Sequence, residues 1–84
     1  MNTSNNEQVF RAITEASLGD DGFDQEVEHK VAHYVYSNAG YMHEVTASMV
    51  TKVAELAVLC PDDWEQAADM VVLSYKGRIK KFLS

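Results

Sequence analysis

One apolar ladder constrains this chain more than any other feature. Trp64, Ala68, Val71, Tyr75, Ile79 and Phe82 follow one another at steps of four, three, four, four and three residues. That rhythm gathers all six on one face of an α-helix and would scatter them over both faces of a strand. The spacing predicts a helix from about Asp62 to Phe82. Pro61 suits its first position, where a missing N–H costs nothing, and Asp62 and Asp63 suit the positive end of its dipole. Gly77 lies inside the ladder at a cost of about 1 kcal/mol relative to alanine. It marks either the close approach of another backbone or a frayed last turn.

Three more segments read the same way. Ser4-Asn5-Asn6-Glu7 has capping-box spacing. Val9, Ile13 and Ala16 then form a stripe with Phe10 beside it, and Gly19 is the expected stop. Asp24 is the expected N-cap of a second helix, whose inner face is Val27, Val31, Tyr34 and Val35, with a turn at residues 37–40. A third helix is predicted from about His43 to Leu59. Its stripe of Val45, Met49, Val53, Leu56 and Cys60 is widened by Val50, Ala54, Ala57 and Val58, so it is central or faces a partner. The expectation is an all-α fold, a single small four-helix bundle with short loops over residues 1–84, the first four frayed. The expected core is Val9, Phe10, Ile13, Val27, Val31, Val35, Val45, Met49, Val53, Leu56, Trp64, Ala68, Val71, Tyr75 and Ile79.

Composition narrows the class. A chain of 84 residues is one domain, and 46% apolar residues with 24% charged is ordinary globular usage. The longest apolar run, Leu56 to Cys60, is far short of the ~20 residues that a membrane span needs. Met1 to Gln8 carries no basic or apolar targeting signal. A single cysteine excludes an internal disulfide, so a reducing, cytoplasmic setting is expected, with Cys60 as a buried structural thiol. The girth of the third helix and the Val71-Val72-Leu73 run offer more apolar surface than so short a chain hides easily, which motivates an expected homodimer.

Charge points to a kind of partner. Thirteen acidic and seven basic side chains give a net −6. Residues 1–75 hold all the acids and three bases, a net 3 − 13 = −10; Lys76, Arg78, Lys80 and Lys81 make residues 76–84 net +4. Direct docking on nucleic acid or an anionic membrane is disfavoured. The basic stretch either complements a helix C-terminus or forms a small contact patch. Asp20, Asp21, Asp24, Glu26 and Glu28 surround one predicted helix start, and Asp62, Asp63, Glu65 and Asp69 another.

The serines sit in no nucleophile elbow, and the glycines form no phosphate loop. No nucleophile–base–orienter set can be assembled, so the chain reads as non-enzymatic and cofactor-free. The leading expectation is an acidic protein-binding module. It would inhibit or regulate a partner by covering a basic surface, such as one that holds nucleic acid. Asp20, Asp21, Asp24, Glu28, Asp62, Asp63 and Glu65 would steer the encounter. Tyr36 and Tyr41 would supply contact area, since aromatic anchors carry much of an interface's energy. The alternative is a metal-binding helical protein. Glu26, His29 and His33 share a helix face in an E-x-x-H step, half of a di-iron-type site that homodimerisation would complete.

Overall fold

Among the described residues are five α-helices and one 3₁₀ turn: α1 (Thr3–Ala16), α2 (Gln25–Asn38), the 3₁₀ turn (Ala39–Tyr41), α3 (Ala47–Leu59), α4 (Trp64–Val72) and α5 (Tyr75–Leu83). The computed structural model describes residues 3–83, and no side chain before Asn6. The expected capping box at Ser4, and fraying of the first two residues, therefore fall outside the described residues. Thr3 and Ser4 themselves already lie in α1. All-α architecture holds, with five helices rather than four.

α3 is the central element, packed against α1, α2 and α4. Its buried residues are Val50, Val53, Ala54 and Ala57, while Met49 and Leu56 are half-buried and Val58, Leu59 and Cys60 are exposed. The inner face is thus turned from the expected stripe onto its smaller side chains. Valine and alanine let three neighbouring helices approach one axis, where leucine and methionine would hold them apart. α3 begins at Ala47, later than expected, because Thr46 caps it: its Oγ1 accepts from the Met49 backbone N–H at 3.3 Å.

Other boundaries moved for equally local reasons. α1 ends at Ala16, and Ser17 takes the left-handed conformation (φ 50°) expected of Gly19. The Ser17 hydroxyl donates to the Thr14 carbonyl at 3.2 Å, and turning there lets Leu18 bury. Asp24 is the N-cap residue of α2, extended as expected, but its side chain makes no capping bond. Pro61 lies in a turn before α4 rather than in its first position.

The largest correction concerns the apolar ladder. It does not run through: Leu73 is extended (φ −83°, ψ 144°), and a new helix starts at Tyr75. The break is held by pairing with residues 41–43. The His43 N–H donates to the Val72 carbonyl (3.1 Å) and the Ser74 N–H to the Tyr41 carbonyl (3.0 Å), around an antiparallel bridge of Met42 with Leu73. Ser74 also caps α5, its Oγ accepting from the Gly77 N–H at 2.9 Å. Extending the chain there buries Leu73 and Met42, which a continuous helix would not bring together.

Rows change accordingly. α4 buries Trp64, Ala68 and Val72, and Val71, Tyr75 and Ile79 are exposed, as is Phe10 on α1. Val9, Val31, Val35, Val53, Trp64 and Ala68 are buried as expected. Ile13, Val27, Val45, Met49 and Leu56 pack against the core from its edge. The Ser74 cap gives a measurable expectation: Ser74→Ala should lower unfolding stability by about 1 kcal/mol in urea denaturation, with hydrogen exchange accelerated first in α5.

Candidate partner-binding surface

The carboxylates singled out in sequence fall into two groups. Asp20, Asp21 and Asp24 lie in the α1–α2 loop and cap, with Glu28 one turn into α2. Asp62 and Asp63 lie in the α3–α4 turn, and Glu65 in the first turn of α4. All but the half-buried Glu28 are exposed. Among the described residues, none of the seven is in an ion pair. Each group sits at a helix start, where free N–H groups and the helix dipole favour negative charge.

The fold turns both helix starts the same way. Tyr34, in the second half of α2, meets Trp64 at the start of α4 and Asp69 in its middle. Residues 41–43, beyond α2, pair with residues 72–74, beyond α4. The two helices therefore run in the same sense. Their acid-rich starts face the same way, the α4 start level with Tyr34 and so about 15 Å along α2 from Asp24, and the joint with α5 lies in the opposite direction.

The tyrosines separate from the Asp20, Asp21 and Asp24 group. Tyr36 is exposed in the last turns of α2, twelve residues from Asp24 and so about 18 Å along the axis. It shares an outward stripe with His29 and His33, both exposed, at spacings of four and three. Tyr41 is half-buried and packs against the core, with its carbonyl occupied by Ser74. Tyr36 is thus available for contact, whereas Tyr41 is largely a structural residue of the joint.

Asp69 belongs to the interior side of α4. Its Oδ1 accepts from the Tyr34 hydroxyl at 2.5 Å and from Lys81 Nζ at 2.8 Å, and Lys81 lies 5.2 Å from the centre of the Tyr34 ring. Burial, then the Asp69 carboxylate beside it, pushes the Tyr34 hydroxyl well above the usual tyrosine range, so it stays protonated and donating. Asp69 therefore anchors α5 instead of extending the acidic end.

The basic stretch divides in two. Lys81 is committed to Asp69, and the Arg78 guanidinium donates to the Met70 carbonyl at 3.3 Å, in the last turn of α4. Arg78 thus complements the C-terminus of α4, while Lys80 and Lys81 lie in the last turn of α5 itself. Lys76 and Lys80 are exposed.

Glu26 pairs with Lys30 at 3.6 Å, one turn along an exposed face. Among the described residues, no three His, Cys, Asp or Glu side chains converge as a metal site. Cys60, expected to be buried, is exposed, because α3 ends at Leu59 with that face outward. No described helix is long and apolar enough to cross a membrane. Compared with known proteins, the chain matches no family model, no curated protein and no solved structure.

Sequence reading missed two features of this surface. One is the joint of Tyr41, Ser74 and Gly77, for which a serine three residues before a glycine inside an apolar ladder was the available signal. The other is the exposed apolar face of α5, which ladder periodicity assigned to the core.

Proposed function

We propose that this chain is a non-enzymatic protein-binding module that docks its acid-rich end on a basic surface of a partner and regulates or inhibits that partner by covering it. The reading rests on one observation: seven carboxylates outside any described ion pair, at two helix starts that face the same way. Side chains held in internal pairs would have to break them to meet a partner, and these do not. A field of one sign over such an end raises the encounter rate with a basic surface and disfavours an acidic one. A surface that otherwise holds nucleic acid has the matching sign, and its occupation would block that use. Tyr36 lies far enough along α2 to anchor the edge of such an interface. Standard interfaces cover about 800 Å² per partner, roughly 30 Å across, and the molecule itself measures 34 × 29 × 17 Å.

Charge reversal tests this directly. Asp20→Lys, Asp21→Lys and Asp24→Lys together should leave helix content unchanged, because all three side chains are exposed in a loop and cap without capping bonds. Association with a partner captured from the native host should slow about tenfold or more at low ionic strength, and the remaining rate should respond less to salt. A folded triple variant that binds at the wild-type rate with the wild-type salt dependence would remove the acidic end from recognition.

A further inference from the structure

The most unusual surface lies at the other end, on α5. This nine-residue helix exposes Tyr75 (70%), Ile79 (42%), Phe82 (89%) and Leu83 (77%). Steps of four from Tyr75 to Ile79 and from Ile79 to Leu83, and of three from Ile79 to Phe82, put them on one face. The helix is fastened from its other side. Gly77 is buried against the Tyr41 carbonyl, Ser74 caps the first turn, and Lys81 is tied to Asp69. The stripe is therefore held outward, away from the core. Met70, 68% exposed, continues it, its sulfur 3.8 Å from the Arg78 guanidinium.

We infer that α5 is a dimerisation helix whose occupant is a second copy of this chain, the two α5 helices packing antiparallel about a two-fold axis. Area selects that occupant. At these exposures the four α5 side chains and Met70 offer on the order of 650 Å² per copy, close to the ~800 Å² per partner of a standard interface. An isologous contact buries the same patch on both copies and closes, so Ile79 meets its own counterpart and Tyr75 meets Leu83. The stripe lies on a segment of net +4, and the rest of the chain is net −10. Antiparallel pairing brings the exposed Lys76 and Lys80 of both copies near one another, a repulsion that salt screens and that the apolar area must outweigh, while the two acidic bodies lie outside the contact. An anionic bilayer would attract α5 but repel those bodies. The inference is independent of the acidic end, which lies at the opposite pole.

Sedimentation equilibrium of the full chain should give a mass that doubles from 9.4 kDa as concentration rises. Ile79→Glu with Phe82→Glu should return it to the monomer with an unchanged far-UV spectrum. Should that pair unfold the chain, amide exchange in wild-type α5 must slow with rising protein concentration. The Asp20/Asp21/Asp24 reversal should leave the dimer intact, which separates this inference from the proposed function. A mass of one chain at every concentration would overturn it, as would a dimer that survives the double glutamate variant. So would a monomer that instead pellets with phosphatidylserine vesicles, or α5 exchange independent of concentration.

Discussion

Gly77→Ala should destabilise the protein by about 2 kcal/mol or more, although helix propensity taken alone predicts a gain of about 1 kcal/mol. The two effects have opposite signs, so the measurement decides which governs. Gly77 is a buried residue in the first turn of α5. A Cβ there would lie 2.7 Å from the Tyr41 carbonyl carbon and 2.9 Å from Ser74 Oγ, inside van der Waals contact of both. Neither neighbour is a flexible side-chain end. The Tyr41 carbonyl is fixed by the Ser74 N–H (3.0 Å) and hydroxyl (3.3 Å), and that hydroxyl accepts from Gly77 itself (2.9 Å). Relief requires α5 to move off the 3₁₀ turn, which also strains the Met42–Leu73 bridge. The urea midpoint of Gly77→Ala should therefore fall, with α5 amides losing exchange protection ahead of α1–α4. A stabilised variant would mean that α5 does not rest on Tyr41.

Helix content was legible because it depends on periodicity, and periodicity survives local error. The stripes of Val9 in α1 and of Val31 and Val35 in α2 pointed inward as read, and α3 is central as its girth implied. Connections were less legible because they depend on choices between near-equal neighbours. Val71 and Val72 are adjacent and equally apolar, so a step of three or four from Ala68 fits the pattern equally well. The fold takes Val72, and then extends Leu73 to pair with Met42, a residue thirty-one positions earlier. No window along the sequence contains that pairing. The same long-range choice turned Tyr75 and Ile79 from core into surface.

Much the same holds for the surface. Exposure of the acids could be read locally, since loop and cap carboxylates rarely bury. That the starts of α2 and α4 face the same way follows only from the shared direction of those helices, a tertiary fact. Asp69 shows the limit from the other side. In sequence it resembles the other acids around α4, but its partners Tyr34 and Lys81 come from thirty-five residues before and twelve after. The exposed stripe of α5 was hidden by its own regularity, because a face apolar enough to be core is equally suited to contact another molecule.

Trp64→Ala should cost about 3–5 kcal/mol, a large share of the roughly 4–12 kcal/mol expected for a domain of 84 residues. The Trp64 side chain opens α4 and is nearly buried, its ring 5.5 Å from that of Tyr34 at a tilt of 59°. Such tilted aromatic pairs add to the burial of their area. Truncation removes one wall of the space around Tyr34, and Tyr34 is the residue whose hydroxyl holds Asp69 while Asp69 holds Lys81. The damage should therefore travel from the ring pair, through one carboxylate, to α5. Two measurements separate this from a local cavity. The urea midpoint followed by far-UV circular dichroism should drop by the full amount, and α5 exchange in the variant should approach that of unprotected amides while α1 and α3 remain protected. Trp64→Phe, which keeps a ring against Tyr34, should recover more than half of the loss. A loss below about 1 kcal/mol in Trp64→Ala would mean that the indole is not a core group. A full loss with α5 protection unchanged relative to α1 would mean that Tyr34 and Asp69 hold the last helix without help from Trp64.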